Sequence, residues 1–394
     1  MIARVLDVWA ALLLVPVAVL CVETLLALLP TRRAVPVRDD ATRVAVLVPA
    51  HDEAEGIAPV IDGIRMQLGA HDRLLVVADN CSDATATVAR EHGAEVIERF
   101  HDTQRGKGYA LDFGVRHLAA QPPDVLIVID ADCTVHAGAI DRLAARVRVA
   151  NRPVQGLDLM RAPPQAGIKA KVAEFAWLLK NQVRPRGLAR IGLPCPLMGT
   201  GMALPWQALA HVQLASASLA EDMQLGIHLA QQGFAPLFEE SALVTSDFPL
   251  TAAAQATQRT RWEHGHLGMI LAHAPRLLLQ GVVHADRNRI VMALDMSVPP
   301  LALLALLLVT GWLAGLAAAL AGAGVVPLCL FTLALGMFAL AILLAWYGWG
   351  RQAISLGALL HVPLYVLGKI PHYLRFVFKR EKRWVRTQRD KPDG

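Results

Sequence analysis

Three short acidic clusters each follow an apolar run of the kind that forms a buried strand. The first cluster ends in Glu53, the second begins at Asp79, and the third is Asp130-Ala131-Asp132. Carboxylates held close together repel one another, so such clusters need a cation or hydrogen-bond donors. Mg²⁺ and Mn²⁺ bind carboxylate oxygens together with substrate phosphates. The sequence therefore predicts a divalent metal at Asp130 and Asp132, and the alternative is a pair of helix-capping aspartates.

A further acidic pair, Glu221-Asp222, opens a predicted helix that runs to Gln232. Asp222 is a candidate base, but the helix dipole alone also favours a carboxylate in the first turn. Lys107 lies between two glycines at the start of another helix and is a candidate for binding phosphate. The other interpretation of Lys107 is a solvated loop lysine. A glycine-containing turn over residues 198–203 would let a ligand approach its backbone.

Farther along the chain, residues 258–262 read Gln-Arg-Thr-Arg-Trp and place two guanidinium groups and an indole on about one helical turn. Arg binds phosphate through its planar fork of donors, and the face of Trp packs against sugar rings. Together these residues predict a site for a phosphorylated sugar. The alternative is an amphipathic helix whose arginines reach the surface of a bilayer.

The elements that would position these residues alternate between strand and helix. Four apolar runs predict strands, at 44–48, 74–78, 96–97 and 125–129. Three helical patterns follow strands, at 52–67, after a cap at Ser82 or Asp83, and at 108–120. We therefore expect an α/β domain with a mostly parallel sheet and helices on both faces. Ligands of such sheets bind at the carboxyl ends of the strands, where the acidic clusters lie.

Three long apolar blocks flank this polar region, at 5–29, 298–320 and 326–347. Hydrophobic residues make up 55% of the chain and charged residues 18%, whereas soluble domains are nearer ~45–50% and ~25%. Each block can form a spanning helix, which needs about 20 apolar residues. The first block exceeds the ~7–15 residues of a signal-peptide core, so it is predicted to be a retained anchor rather than a cleaved leader.

The distribution of basic residues predicts an orientation, because cytoplasmic flanks of spanning helices are rich in Lys and Arg. Five arginines flank the apolar blocks on the cytosolic side: Arg32, Arg33, Arg287, Arg289 and Arg351. The net charge of +5 is concentrated beside apolar runs. This position indicates that the basic residues contact membrane lipids and not nucleic acid. A fourth stretch, 354–378, is predicted to be an interfacial amphipathic helix, since a span there would leave the basic tail outside.

Four regions follow from these observations: an anchor at 1–32, a cytosolic catalytic domain at 43–285, a transmembrane hairpin at 290–350, and an interfacial helix with a basic tail at 351–394. None of the five cysteines forms a C-x-x-C pair, so neither a zinc site nor a disulfide framework is predicted. The Ala-, Leu- and Arg-rich composition suggests an integral protein of a bacterial inner membrane.

The order of the polar motifs resembles the D, D, D, Q(Q/R)xRW pattern of membrane-bound family 2 glycosyltransferases. That class includes cellulose, hyaluronan and poly-N-acetylglucosamine synthases and ceramide glucosyltransferases. The resemblance covers about residues 44–267, and its most specific part is Gln-Arg-x-Arg-Trp at 258–262 with Glu-Asp upstream. Residues 384–387, Trp-Val-Arg-Thr, are similar to the ending of this class. The sequence departs from the family at Asp52, where Asn is frequent, and we expect a changed hydrogen bond there.

The resemblance implies a GT-A fold and a role for each matched residue on the donor side. Glu53 and Asp79 would contact the base and ribose of a nucleotide-sugar. Lys107 would approach the nucleotide. Asp130 and Asp132 would hold the diphosphate, with Asp132 on Mg²⁺ or Mn²⁺.

On the acceptor side, the resemblance makes Asp222 the general base that deprotonates a hydroxyl group. Arg259 and Arg261 would stabilise the leaving diphosphate. Trp262 would stack near the acceptor, and Glu221 would orient its loop.

One carboxylate base without a separate nucleophile predicts single displacement with inversion at the anomeric carbon. Three helices give few walls for a polymer channel, so we expect one sugar, from a UDP-sugar, to be added to a lipid-linked oligosaccharide or another membrane-associated acceptor. The alternatives are an enzyme similar to ceramide glucosyltransferases or directed at sterols, a processive polysaccharide synthase, and a non-catalytic scaffold of a polysaccharide export complex. The presence of Asp132 and Asp222 argues against a non-catalytic protein.

Overall fold

A computed structural model describes residues 2–30, 37–163, 165–216, 218, 220–249, 251–359, 362–371, 373 and 376. These residues form two compact units. The sheet unit comprises the described residues of Arg32–Pro163 and Pro194–Arg261, and the helical unit those of Met1–Thr31, Pro164–Leu193 and Trp262–Glu381. Residues 165–193 and 262–285, which the sequence analysis placed in the catalytic domain, thus belong to the helical unit. Arg32, Arg33 and the Trp-Val-Arg-Thr segment lie outside the described residues.

The sheet unit contains one eight-stranded sheet with the strand order β3-β2-β1-β4-β7-β6-β8-β5. Its strands are β1 Val44–Ala50, β2 Arg73–Asp79, β3 Glu95–Arg99, β4 Val125–Val128, β5 Thr134–Val135, β6 Val154–Arg161, β7 Met202–Pro205 and β8 Leu237–Asp247. The first four strands pair in parallel, as do β6 and β8, whereas β7 runs antiparallel to both of its neighbours. The sheet is therefore mixed but mostly parallel, and the four strands predicted from the sequence are confirmed.

Helices cover both faces of this sheet because its central strands are apolar on both sides. The helices of the unit are α2 Ile57–Arg65, α3 Thr85–Glu91, α4 Lys107–Leu118, α5 Ala139–Ala150 and α8 Glu221–Gln231. Val46 of β1 packs in a core with α2 and α5. Leu47, the next residue, faces the other side and packs in a core with α4 and α8. This alternation explains why helices pack on both faces of the sheet.

The helical unit contains the remaining helices. They are α1 Ile2–Ala27, α6 Ile168–Leu178, α7 Arg184–Arg190, α10 Arg287–Met296, α11 Leu301–Leu320, α12 Val326–Ala345, α13 Leu356–Leu359 and α14 Val362–Leu367. The 32-residue helix α9, Ala252–Val283, enters this unit at Trp262. Residues Leu179–Val183 form a π-turn between α6 and α7, and Trp346–Gly350 form another after α12. Pro185, just beyond the first π-turn, has no backbone N–H to continue an α-helical pattern.

Three helices in the described part of the chain are long and apolar enough to cross a membrane: Ala3–Ala27, Leu301–Leu320 and Val326–Gly350. The three apolar blocks predicted from the sequence thus form helices of membrane-spanning length, and their passage through a membrane and their orientation stay predictions. The helices pack closely on one another. The ring of Trp9 lies edge-on to that of Phe331 at 5.4 Å. Gly311 leaves room for Phe331, since a Cβ there would lie 2.2 Å from the ring.

A buried ion triad joins three helices of this unit. The Arg184 guanidinium of α7 donates to the Glu23 carboxylate of α1 at 2.6 Å and to the Asp295 carboxylate of α10 at 2.7 Å. All three side chains are less than a tenth exposed. Removing one member of a buried, hydrogen-bonded group leaves an uncompensated charge, so this triad ties the three helices together.

The predicted amphipathic helix over 354–378 is represented in the described residues by short pieces, including α13 and α14. Pro363 and Pro371 lack the backbone N–H that a continuous helix needs. The location of this segment at a membrane surface stays a prediction.

Candidate active site

A tight turn over residues 198–201 lies beside the end of β4. Its shape is held by Gln155 of β6, whose side chain is fully buried. The Gln155 amide accepts a hydrogen bond from the N–H of Met198 and donates one to the carbonyl of Thr200, both at 2.8 Å. Gly199 and Gly201 have positive φ angles of 94° and 65°, which favour glycine. The turn thus confirms the glycine-containing bend predicted from the sequence.

Lys107 and Asp130 form an ion pair next to this turn. The Lys107 ammonium also donates to the carbonyl of Gly199 at 2.7 Å. The backbone N–H of Asp130 donates to Oγ1 of Thr200 at 3.1 Å, so the turn contacts both members of the pair. Burial alone would lower the pKa of Lys107, but the charges of Asp130 and Glu221 outweigh it and raise the pKa. Lys107 is therefore a charged group fixed within the site and not a solvated loop lysine.

Glu221 and Asp222 begin α8, as the sequence predicted. A Cβ on Gly199 would lie 3.4 Å from Oδ2 of Asp222 and 3.7 Å from the Lys107 ammonium, so these groups meet around Gly199. Burial, and then the charge of Asp222, raise the pKa of Glu221 to about 7. Glu221 and Asp222 also line a small cleft with Leu111 and Leu225. The side chain of Asp222 thus lies near the Lys107 ammonium and also lines a cleft.

The carboxylates clustered at this site need positive charge to balance their mutual repulsion. Burial raises the pKa of Asp130, the Lys107 ammonium opposes that effect, and the neighbouring Asp132 adds to it. Asp132 is exposed on the loop after β4. Asp130, Asp132, Glu221 and Asp222 therefore lie close enough for their charges to interact, with the Lys107 ammonium beside Asp130, and such a donor set fits a divalent cation with oxygen ligands.

The residues predicted to bind the base and ribose lie after β1 and at the end of β2. Asp79 is buried, and its carboxylate accepts from the Arg99 guanidinium at 2.7 Å. These two residues are partners in the β2–β3 register. His51 donates from Nδ1 to the Asp79 carbonyl, 2.7 Å away. The N–H of Glu53 donates to Oγ1 of Thr85 at 2.7 Å.

A second acidic group, Asp52, Cys81 and Asp83, has ligand atoms within 4.8 Å of one another. Asp52 accepts from the N–H of Ser82 at 2.6 Å, and Asp83 accepts from the N–H of Ala54 at 3.1 Å. Burial raises the pKa of the Cys81 thiol, which disfavours a thiolate ligand. These hydrogen bonds hold the loops after β1 and β2 together, and they explain why Asp52, Cys81 and Asp83 lie close to one another. Asp52 has a φ of 52°, a conformation that Asn and Asp tolerate better than most residues.

The Gln-Arg-x-Arg-Trp residues lie on α9. Arg259 and Arg261 are half-buried at the end of the sheet unit, and their approach to a leaving diphosphate stays a prediction. In the helical unit, the ring of Trp262 lies 4.7 Å from that of Trp177 on α6, and the Lys180 ammonium lies 5.4 Å from the Trp177 ring.

Sequence reasoning missed three residues that support the predicted ones: Gln155, Arg99 and Trp177. A lone Gln inside a strand gives no signal in a single sequence. Arg99 could have been considered, because it ends a strand beside the one that ends in Asp79. The contact of Trp177 with Trp262 depends on the packing of two helices and has no local signature.

Comparison with known proteins identifies the family to which the chain belongs. The family model described as glycosyltransferase like family 2 matches residues 41–265, more than half of the chain. The chain therefore belongs to the family 2 glycosyltransferases. An uncharacterized glycosyltransferase of Mycobacterium tuberculosis is 39% identical over 149 residues, which cover 36% of this chain and 61% of that protein. A probable glycosyltransferase of Bacillus subtilis, YdaM, is 26% identical over 244 residues, covering 58% of this chain and 56% of that one.

The matches to these curated relatives thus span only about three fifths of their length. Among solved structures, the mannosyltransferase PcManGT of Pyrobaculum calidifontis, in complex with GDP-Man and Mn²⁺, has a TM-score of 0.56 at 17% identity. The likeness covers 95% of this chain and 100% of that one. It confirms the expected fold class, a GT-A-like α/β domain accompanied by long apolar helices.

Proposed function

We propose that the protein transfers a sugar from a nucleotide-diphosphate sugar to a hydroxyl group of a membrane-associated acceptor, with inversion at the anomeric carbon. The observation that carries the proposal is the meeting of Asp222 and Lys107 around Gly199, with Asp130 paired to the same lysine. Such a transfer needs three groups in one place: a base, a cation, and a carboxylate near the phosphates.

In this proposal Asp222 is the general base. An acceptor hydroxyl does not ionise near neutral pH, so a positioned carboxylate must take its proton as the new C–O bond forms. Such assistance is worth ~10²–10⁴-fold in rate. The N–H of Met223 donates to Oδ1 of Asp222 at 2.8 Å, which orients the carboxylate and leaves Oδ2 on the side of Gly199.

The bond that breaks joins the anomeric carbon to the β-phosphate oxygen, and the nucleoside diphosphate departs with its electron pair. Lys107, already charged and fixed by the Gly199 carbonyl, is suited to stabilise the negative charge that develops there. Arg259 and Arg261 of α9 would add two further cations. With a single base and no nucleophilic side chain in the proposal, the acceptor oxygen attacks directly and the configuration inverts.

Asp132, together with Asp130, would hold Mg²⁺ or Mn²⁺, and the cation would neutralise charge on the diphosphate. The exposed position of Asp132 and the raised pKa of Asp130 both fit a site that gains a cation with its substrate. The Mn²⁺ in the mannosyltransferase structure supports this proposal. Glu53 and Asp79, at the carboxyl ends of their strands, would contact the base and ribose.

The acceptor is proposed to be a lipid-linked oligosaccharide or another glycolipid. Three helices of membrane-spanning length and the aromatic pair at Trp262 support an acceptor that is held at a bilayer. The inner membrane of a bacterium, with the sheet unit in the cytosol, is the proposed location. The donor is proposed to be a UDP-sugar, and the GDP-Man bound to the mannosyltransferase makes GDP-sugars the necessary comparison.

The test is release of nucleoside diphosphate by the purified protein in detergent, with UDP- and GDP-sugars, Mn²⁺ or Mg²⁺, and a lipid extract as acceptor. Asp222→Asn and Asp132→Ala should abolish acceptor-dependent release. Glu98→Gln, in an exposed ion pair of the same unit, is the matched control and should leave the rate unchanged. We expect a product heavier by one sugar and of inverted configuration. A ladder of masses would show a processive enzyme, and metal-independent release unaffected by Asp222→Asn would refute the proposed mechanism.

A further inference from the structure

The side chain of Gln155 bridges the two residues that flank Gly199 in the turn. Its amide oxygen accepts a hydrogen bond from the N–H of Met198, and its amide nitrogen donates to the carbonyl of Thr200, both at 2.8 Å. The same nitrogen also donates to the carbonyl of Gly156 at 3.0 Å. Gln155 is fully buried on β6, so bulk water does not compete for these contacts. The position of Gly199 is therefore set by a side chain from another strand.

The backbone of β6 holds the far end of the same turn. The N–H of Gly156 donates to the carbonyl of Gly201 at 2.8 Å, and Gln155 is paired with Met202, the first residue of β7. These contacts fix the turn from Gly201 onward. The amide of Gln155 extends the contact of β6 back to Met198, at the beginning of the turn.

The turn contacts two groups of the candidate active site. The Gly199 carbonyl accepts from the Lys107 ammonium at 2.7 Å, and Oγ1 of Thr200 accepts from the N–H of Asp130 at 3.1 Å. A lysine ammonium is carried on a long flexible stem, so its charge stays in one place only where its acceptors are fixed. Gln155 therefore acts on Lys107 through the carbonyl of Gly199.

We propose that Gln155 is a positioning residue that fixes the Lys107 ammonium for the diphosphate of the nucleotide-sugar, through the carbonyl of Gly199. The inference rests on the proposed function of Lys107. A primary amide fits this place because the Met198 N–H can only donate and the Thr200 carbonyl can only accept. A carboxylate would only accept, and a thioether carries no N–H or O–H, so neither can bridge the turn.

Gln155→Met removes the bridge but keeps a neutral side chain of similar length. It leaves a buried N–H and a buried carbonyl without the amide, and the turn can then shift. We expect UDP or GDP binding, measured by calorimetry, to weaken more than about 10-fold. The kcat for nucleoside diphosphate release should fall by roughly 100-fold. Met160→Leu, a volume-conserving change at a buried position of the same strand, is the matched control and should change neither.

Gln155→Glu separates hydrogen bonding from the filling of space. Its protonated carboxyl group offers the turn a donor and an acceptor, as the amide does, whereas its carboxylate only accepts. Burial and the facing carbonyl groups favour the protonated form. The kcat and nucleotide affinity of this variant, each divided by the wild-type value at the same pH, should therefore be highest near pH 5.5 and fall toward pH 8.5. In Gln155→Met the same ratios should be low and independent of pH.

The wild-type value at each pH is needed because other groups near the turn are titratable. They lie on α4, in the loop after β4, on β6 and at the start of α8: Lys107, Asp130, Asp132, Cys133, Asp158, Glu221 and Asp222. All three proteins contain these groups, so the ratios remove their shared effect. Ratios for Gln155→Glu that do not fall as pH rises would show that the side chain only fills space, and would overturn the inference.

A double-variant cycle tests whether Gln155 acts through Lys107. In a Lys107→Met background, adding Gln155→Met should change nucleotide binding by less than about 2-fold, because the charge that Gln155 positions is gone. Equal losses in both backgrounds would show a merely structural amide and overturn the inference, as would unchanged nucleotide binding and kcat in Gln155→Met. If the wild type binds a nucleoside diphosphate but transfers no sugar, the proposed function fails while the binding ratios still test Gln155. A wild type that binds neither UDP nor GDP would overturn both.

Discussion

Replacing Glu221 by Gln tests whether the two acids at the start of α8 have different roles. The pKa of Glu221 is raised to about 7 from an ordinary 4.5 by burial and by the charge of Asp222. At about 1.4 kcal/mol per pH unit, this difference disfavours the charged form of Glu221 by roughly 3 kcal/mol. Below pH 7, Glu221 therefore mostly holds a proton, which disfavours it as a general base.

Glu221→Gln mimics the protonated side chain, whereas Asp222→Asn removes the proposed general base with a change of the same size. We expect Asp222→Asn to lose ~10²–10⁴-fold in kcat and Glu221→Gln to lose less than about 10-fold. The wild-type rate should rise through pH 7, because ionised Glu221 strengthens the neighbouring base. Glu221→Gln should lack that inflection.

The assay is nucleoside diphosphate release between pH 5.5 and 8.5 for the wild type and both variants. Stability gives an independent readout, since a raised carboxyl pKa destabilises the folded protein as pH rises through about 4.5 to 7. Glu221→Gln should therefore raise Tm more at pH 8 than at pH 5. An inflection near pH 7 that persists in Glu221→Gln, or equal loss of activity in the two variants, would refute the assignment.

Three further substitutions test the supporting structure. Arg184→Met should lower the free energy of unfolding by about 3–5 kcal/mol. Adding Glu23→Gln and Asp295→Asn to this variant should recover most of the lost stability. Tm in detergent measures both the loss and the recovery. Gly199→Ala should lower kcat/KM more than about 10-fold, because its φ of 94° and the nearby Asp222 and Lys107 side chains disfavour a Cβ. Unchanged kinetics would contradict that placement. Gly311→Ala should destabilise the helical unit by about 1–3 kcal/mol, measured as Tm, because its Cβ would meet a phenyl ring at 2.2 Å.

The parts of the fold that could be predicted are those with a strong local pattern. The run at Val44–Ala50 is continuously apolar because both faces of β1 are covered, and the three long helices are recognisable by length alone. Strands β5 to β8 were not predicted. Their pairing is set by contacts between distant segments, such as that of β6 with β8, which shifts register after Gly156.

The candidate site shows the same division. Lys107, Asp130 and Asp222 were identified by residue type and by their position at the ends of elements. The chemistry that distinguishes Lys107 from a loop lysine is its contact with the carbonyl of Gly199, which lies 92 residues away in sequence. Burial and mutual repulsion, which raise the pKa of Glu221, are likewise properties of the assembled site and not of the motif.

The π-turn at Leu179–Val183 limits which sequence changes homologous proteins can accept in this segment. Such a turn is accommodated by one residue more than an α-helix would hold, and each residue of an α-helix turns the chain by about 100°. Deleting one residue here would rotate Arg184 away from its two acidic partners, whereas a substitution would leave it in place. Homologous sequences should therefore vary in composition between Trp177 and Arg184 but keep the same number of residues.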